Sequence, residues 1–120
     1  MANPVVHFEV TGKDGAALAA FYEKLFGWKT QGLPELGYWL VEQETEGIAG
    51  GIGATQDGGA GHVTFYVRVD DIQGALDHAE SLGGKTVLPV MTVPDTVTLA
   101  LFSDPEGHVV GLVASETHSS

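Results

Sequence analysis

Two stretches of this 120-residue sequence, about residues 5–54 and 62–114, repeat the same order of motifs. Segment 7–14 opens the first copy and segment 64–71 opens the second, an offset of 57 residues. Further on, Phe26-Gly27 is answered by Leu82-Gly83 at an offset of 56 residues. A repeat of this length predicts a fold built by pairing two like units, with a shared surface or cleft between them.

Composition narrows the classes of protein that need to be considered. The chain has no cysteine, which excludes disulfides and thiolate metal sites. Five basic against sixteen acidic residues give a net charge of −11, which argues against nucleic acid and anionic membranes as partners. No apolar run approaches the roughly 20 residues of a membrane span, and no signal pattern opens the chain. We therefore expect one soluble, cytoplasmic domain.

The first copy reads as strand, helix and three strands. In its opening strand, Val6, Phe8 and Val10 alternate with a second face that carries His7 and Glu9. The apolar residues predict the core side of this strand. Further strands are expected near residues 28–30, 37–42 and 48–53.

The helix of the first copy has clear signals at both ends. Asp14 is suited to cap a helix that runs to Phe26, and Gly27 is suited to end it. The apolar stripe predicted to face the core is Leu18, Phe21 and Leu25.

The second copy repeats this order. Its opening strand alternates two sets of residues, with the core set predicted to be Val63, Phe65, Val67 and Val69, and the opposite set His62, Thr64, Tyr66 and Arg68. Asp70 is expected to cap a helix that ends at Gly83-Gly84, with an apolar stripe formed by Ile72, Leu76, Ala79 and Leu82.

Three strands should follow this second helix, near residues 86–91, 96–103 and 108–114. Pro89 predicts an edge or a bulge in the first of them. The segment Asp104-Pro105-Glu106-Gly107 suits a type I turn between the last two. Residues 55–61 are expected to link the copies, and the tail, residues 115–120, is expected to be disordered.

Three motifs in this order resemble the vicinal oxygen chelate superfamily, which includes glyoxalase I, bleomycin-resistance proteins, fosfomycin-resistance enzymes and extradiol dioxygenases. They are Phe21-Tyr22 with Leu25-Phe26-Gly27-Trp28, the strand into Val69-Asp70-Asp71, and Asp104-Pro105-Glu106-Gly107-His108. Gly50-Gly51-Ile52 and Gly111-Leu112 are similar to its uncharacterised glyoxalase-like branch.

The resemblance implies an α+β fold in which two βαβββ modules, about residues 4–54 and 62–114, form a curved eight-stranded mixed sheet around a cleft. The helices would lie on its convex face, within a single glyoxalase/bleomycin-resistance-like domain over residues 1–120. It also implies a homodimer, for which Trp28 and Trp39 are candidate contacts.

In metal-dependent members of the superfamily, the first and last strands of each module contribute one ligand each. The matching positions here are His7, Thr64, Gly111 and about Gly50 or Gly51. A divalent ion needs three or more strong protein donors, and this set keeps one. We therefore expect neither a metal at the family position nor another cofactor.

His62 lies two residues before the family position but on the same strand face. If the opening strands of the two copies run antiparallel, Glu9 comes opposite His62. His7, Glu9 and His62 would then form either a hydrogen-bonded histidine–glutamate pair that lines the cleft or a rearranged metal site.

Residues on the polar strand faces predict a small-molecule pocket. The predicted ligand-binding residues are His7, Glu9, Trp39, His62, Thr64, Tyr66 and Arg68, with Tyr38 as an alternative to Trp39. Arg68, the sole arginine, suits an acidic group on an aromatic ligand, or else pairs with Glu9 or a surface acid.

Two classes of function follow from this pattern. The first is a small-molecule binding protein of the bleomycin-resistance type without the family metal. The alternative is an enzyme, lyase, isomerase or dioxygenase-like, that uses His7 and Glu9 as catalytic acid and base or holds a rearranged divalent metal.

Overall fold

The computed structural model describes residues 2–55, 58–94 and 97–114. These residues form two compact units. Among the described residues, the first unit covers residues 6–64, and the second unit combines residues 2–5 with residues 65–114. The segment predicted as a linker therefore belongs largely to the first unit, while residues 56–57 and the tail lie outside the described residues.

The first unit follows the predicted order of strand, helix and three strands. Its elements are β1 Val5–Gly12, α1 Gly15–Phe26, β2 Thr30–Leu33, a short 3₁₀ helix Pro34–Leu36, β3 Tyr38–Val41 and β4 Ala49–Ala54. The strand order is β2-β3-β4-β1, in which β1 and β4 are parallel and the other pairs antiparallel. β2 begins later than predicted, so Trp28 precedes the strand.

The second unit has the same connectivity. Its elements are β5 Val63–Val69, α2 Ile72–Ser81, β6 Lys85–Val93, β7 Val97–Ser103 and β8 Val109–Ala114. The order is β5-β8-β7-β6, again with a parallel pair, β5 and β8. The eight strands belong to a mixed sheet, which confirms the predicted α+β class.

Local signals at the helix ends are mostly confirmed. The Asp14 carboxylate accepts a hydrogen bond from Ala17 N–H at 3.0 Å, and Gly27 ends α1 with φ of 72°. The predicted cap of α2 is wrong by one residue. Asp71, not Asp70, accepts from Gly74 N–H at 2.9 Å, because only Asp71 directly precedes the helix.

The face of α1 that packs on the sheet differs from the prediction. Gly15 and Ala19 are buried, whereas Phe21 and Leu25 are 55 % and 57 % exposed. Of the predicted stripe, only Leu18 packs against the core of the first unit, which is Val10, Ala19, Val41 and Ile52. A side chain at Gly15 would come within 2.8 Å of the backbone of β4, so the helix approaches too closely for large residues.

The core of the second unit forms between α2 and its sheet. Its buried members are Val69, Ile72, Leu76, Ala100 and Leu112. Leu82, predicted to join this stripe, is 68 % exposed because the helix ends at Ser81 and Leu82 only caps it. The Ile72 and Leu76 part of the stripe is confirmed.

The alternation along β5 is confirmed near α2 and wrong at the strand's beginning. Val67 and Val69 pack in the core, but Val63 and Phe65 are 76 % and 42 % exposed. They precede the part of β5 against which α2 packs. The polar-face residue Tyr66 is buried instead, because its ring lies on Gly111, its partner in β8.

Two predictions about the second unit's connections are confirmed. β6 is the last strand in its unit's order, and its pairing with β7 shifts register on both sides of Leu88, next to Pro89. The turn after β7 closes through a hydrogen bond from Gly107 N–H to Asp104 O at 2.8 Å. No helix in the described part of the chain is long and apolar enough to cross a membrane.

Candidate functional site

Four polar side chains of the first unit join in one hydrogen-bonded series, which we call the polar chain: His7, Tyr38, Glu9 and His62. The Tyr38 hydroxyl donates to Glu9 Oε2 at 3.0 Å and lies 3.2 Å from His7 Nε2. The His62 Nε2 donates to the other carboxylate oxygen, Glu9 Oε1, at 2.8 Å. The predicted His62–Glu9 hydrogen bond is therefore present.

The strands explain how these side chains meet. Alternation along β1 puts His7 and Glu9 on one face. The backbone holds His62 beside β1, because Thr11 N–H donates to His62 O at 2.8 Å and His62 N–H donates to Thr11 Oγ1 at 2.9 Å. This anchoring places the imidazole against the Glu9 carboxylate.

Glycines in β4 make room for the Tyr38 ring. Tyr38 pairs with Gly53, and Glu9 pairs with Gly51. A side chain at Gly51 would overlap the Tyr38 hydroxyl, and one at Gly53 would come within 2.7 Å of the ring. The tyrosine can therefore reach Glu9 only because β4 carries glycine at these two positions.

The number of available protons decides which groups of the polar chain donate hydrogen bonds and which accept them. A carboxylate only accepts, so Glu9 receives one bond from Tyr38 and one from His62. Since the single Tyr38 proton is directed at Glu9, the Tyr38 oxygen accepts from His7 Nε2. His7 therefore carries a proton on Nε2.

Electrostatics favour a neutral His7. Burial lowers the pKa of the His7 imidazole below its ordinary value of 6.5, and the charge of nearby Glu9 offsets part of that shift. The side chains of Glu9 and His62 keep 14 % and 32 % of their surface exposed. A bound molecule can therefore reach the Glu9–His62 end of the polar chain.

The remaining predicted site residues lie in three settings. Trp39 packs in the α1 core of the first unit, so its neighbour Tyr38, the predicted alternative, supplies the aromatic ring at the polar chain. Thr64 is buried, at 7 % exposure. In the second unit, Tyr66 is buried on Gly111 and Arg68 is exposed.

The sequence pattern offered Tyr38 only as an alternative to Trp39 and did not predict its hydrogen bonds to His7 and Glu9. The sequence did contain a signal for a ring packed on β4, because Gly51 and Gly53 are two residues apart and leave one face of that strand without side chains. Only the register of β3 against β4 shows that Tyr38 covers this face.

Comparison with known proteins agrees with the fold. Residues 5–112 match the family described as Glyoxalase/Bleomycin resistance protein/Dioxygenase superfamily. The chain belongs to this family, which confirms the resemblance predicted from the motifs.

Two curated relatives match at 27 % identity. One is "Putative glyoxylase CFP32" of Mycobacterium tuberculosis, aligned over 113 residues, 88 % of this chain and 43 % of the relative. The other is "Anthracycline biosynthesis protein DnrV" of Streptomyces peucetius, aligned over 117 residues, 83 % of this chain and 42 % of the relative. The chain spans less than half the length of these relatives.

Solved structures share the fold at low identity. Methylmalonyl-CoA epimerase from Mycobacterium tuberculosis gives a TM-score of 0.66 at 13 % identity, over 97 % of this chain and 91 % of that one. A superfamily member from Vibrio splendidus 12B01 gives 0.63 at 16 % identity, over 95 % and 100 %. A protein titled NAD-dependent benzaldehyde dehydrogenase, from Legionella pneumophila, gives 0.68 at 14 % identity, over 90 % and 96 %.

The residues at the family's metal-ligand positions do not fit a divalent ion. The position of the ligand expected at Gly50 or Gly51 is covered by the Phe8 ring at Gly50 and by the Tyr38 hydroxyl at Gly51, and the Gly111 position is covered by the Tyr66 ring. Across residues 2–55, 58–94 and 97–114, no three His, Cys, Asp or Glu side chains come together as metal ligands.

Proposed function

We propose that this chain binds a small organic molecule at the polar chain and that a divalent metal takes no part in binding. One observation carries the proposal. The Tyr38 hydroxyl occupies the space over Gly51 and donates a hydrogen bond to Glu9. Gly51 is one of the two positions, with Gly50, at which the resemblance to metal-dependent members implies a ligand, so hydrogen-bonding groups lie where a metal ligand is expected.

The chemistry of the polar chain suits a ligand that carries both an aromatic ring and polar groups. The four residues offer imidazole, phenol and carboxylate groups in one hydrogen-bonded series, and such groups orient a ligand in a partly dry site. The sequence pattern also predicts Thr64, Tyr66 and Arg68 as ligand contacts, and an arginine guanidinium would suit a ligand carboxylate. Aromatic carboxylic acids are therefore the class of ligand to test.

A second candidate function is acid–base catalysis. It is favoured by the arrangement of a neutral His7, whose pKa is lowered by burial, beside a tyrosine that bonds to Glu9. Glu9 or His7 could accept a proton from carbon in an isomerase- or lyase-type reaction. The relatives named as a glyoxylase and as methylmalonyl-CoA epimerase lend this candidate general support.

Calorimetry with chelator-treated protein tests the binding proposal. The panel is benzoate, salicylate, cinnamate and phenylpyruvate. We expect at least one acid to bind and Tyr38→Phe to weaken it about fivefold, since one net hydrogen bond is worth about 1 kcal/mol. Tyr22→Phe, which alters a tyrosine of the aromatic cluster on α1, is the matched control and should leave affinity unchanged.

Two outcomes separate the candidates. Binding at the polar chain would be refuted if Tyr38→Phe and His62→Gln both bound the ligand as tightly as the parent chain does. It would also be refuted if no acid of the panel bound. Proton exchange from carbon of phenylpyruvate in D₂O, accelerated by the protein and abolished by Glu9→Gln, would favour the enzyme.

A further inference from the structure

A cavity of about 230 Å³ lies in the first unit, away from the polar chain. It is lined by Phe8, Trp28, Val41, Glu42, Glu44, Gly47 and Ile48. Phe8 and Glu9 are successive residues of β1, so their side chains point to opposite faces of the strand. We call this space the Trp28 cavity, and its ligand would be independent of any ligand at the polar chain.

The aromatic wall of the Trp28 cavity is held in place from several sides. The Trp28 ring lies 5.1 Å from Phe8, 5.5 Å from Tyr22 and 5.1 Å from Phe26, measured between ring centroids. The Tyr22 and Trp28 planes are nearly parallel, at 19°. Contacts of this kind fix the indole before any ligand arrives, which lowers the entropy cost of binding.

Two carboxylates border the same space. Glu42 follows β3, and its N–H donates to Lys29 O at 2.9 Å, which holds it beside Trp28. Glu44 begins a turn that closes through Gly47 N–H to Glu44 O at 3.1 Å, and the Gln43 side chain bonds to Gly47 O at 3.1 Å. These bonds order the segment that carries both acids.

Nothing within the described residues neutralises these two acids at the cavity. No lysine, arginine or histidine is among the lining residues, and the ion pairs found in the described ranges involve neither Glu42 nor Glu44. The net charge of the chain is −11, so the two uncompensated acids lie in a protein with an excess of negative charge. The cavity thus combines an indole face, aliphatic walls and two negative charges.

We propose that the Trp28 cavity binds a small organic cation, namely an alkyl- or arylammonium group. A cation over an indole face is attracted by the ring quadrupole, and tryptophan is the strongest partner among aromatic side chains. Glu42 and Glu44 add charge attraction, while Phe8, Val41 and Ile48 cover the ligand's carbon atoms. A neutral ligand would gain only the apolar contacts, and an anion would be repelled.

Titration with benzyltrimethylammonium chloride, followed by NMR, tests this proposal on the full chain. The protein has two tryptophans and hence two indole N–H signals. The Trp28 signal should shift with saturation, while the signal of Trp39, which does not line the cavity, should stay in place. Phenylacetate and benzyl alcohol, the anionic and neutral counterparts, should bind at least tenfold more weakly.

Exposed glutamates provide variants that leave the core intact. The double variant Glu42→Gln/Glu44→Gln should bind the cation about threefold to tenfold more weakly, as expected for loss of two solvent-exposed charge contacts. Glu46→Gln, in the same turn but outside the lining, should bind as the parent chain does. Equal binding of benzyl alcohol, undiminished binding by the double variant, or an unmoved Trp28 signal at about 10 mM cation would overturn the proposal.

Discussion

At the scale of single residues, the polar chain shows how buried polar groups are kept satisfied. In the described residues, no buried side-chain nitrogen or oxygen lacks a hydrogen-bond partner. Glu9 is largely covered yet accepts two bonds, and Tyr38 links it to His7. Because an unpaired buried group costs about 1–3 kcal/mol, loss of any one member should disturb the others.

The pKa of His7 provides a test at this scale. Burial lowers it and Glu9 partly raises it, so removing the Glu9 charge should lower it further. We expect an NMR titration to place the His7 midpoint below 6.5, and lower still in Glu9→Gln. Glu35→Gln, an exposed acid on the 3₁₀ helix, serves as control. A midpoint that rises or stays constant in Glu9→Gln would contradict the role given to Glu9.

The same shift sets the sign of a pH effect on stability. Since the folded-state pKa of His7 lies below the unfolded value of 6.5, the unfolded chain binds the proton more readily. The contribution of His7 to the free energy of unfolding is therefore fully present at pH values above the unfolded-state pKa of 6.5. It decreases as the pH falls towards the folded-state pKa and changes no further below it.

At the scale of elements, the glycines of β4 govern whether Tyr38 can cover the strand. A methyl group at Gly51 would overlap the Tyr38 hydroxyl, whereas one at Gly47 would meet open space. We expect Gly51→Ala to lower the free energy of unfolding in urea by about 1–3 kcal/mol, the usual cost of overpacking. Gly47→Ala is the matched control, with a change within about 0.5 kcal/mol.

A double variant makes this prediction specific to the contact with Tyr38. Adding Tyr38→Ala to Gly51→Ala removes the overlap, so the effects of the two changes should not be additive. Additive losses, or equal losses in Gly51→Ala and Gly47→Ala, would show that the ring does not depend on the glycine.

Elements were predictable from the sequence wherever a local rule sets them. Asp14, Gly27 and the Asp104–Gly107 turn act through hydrogen bonds to near neighbours, and all are confirmed. The packing face of α1 could not be predicted from the sequence, because the close approach of the helix to β4 favours Gly15 and Ala19 over the larger Phe21. That choice depends on a distance between elements far apart in sequence.

The candidate site, too, could be predicted from the sequence only in part. Period-2 alternation placed His7 and Glu9 on one face, and an antiparallel approach of the opening strands placed His62 near Glu9. The choice between Tyr38 and Trp39 required the register of β3 on β4, since adjacent residues point to opposite faces. Sequence alone left that register open.

At the scale of the whole molecule, we propose that the chain forms a homodimer. Trp28 and Trp39 pack against the core of the first unit, whereas Phe21, Leu25 and Phe26 of α1 are each more than half exposed. The α1 residues are therefore the better candidates for the contact.

Light scattering checks this proposal. We expect a mass near twice the 12.6 kDa of one chain, and a shift towards one chain in Phe21→Glu/Leu25→Glu. Leu82→Glu, an exposed leucine at the end of α2, should leave the mass unchanged. A mass of one chain across the micromolar range would exclude the dimer.

The central proposal is that the hydrogen-bonded polar chain, and not a divalent metal, serves the site that the family resemblance implies. Elemental analysis of untagged protein, purified without chelator, tests this most directly. We predict far less than one equivalent of zinc, nickel, iron or manganese per chain, since the donors among the described residues do not converge on an ion. One equivalent of any of these metals that is lost in His7→Ala would contradict the claim.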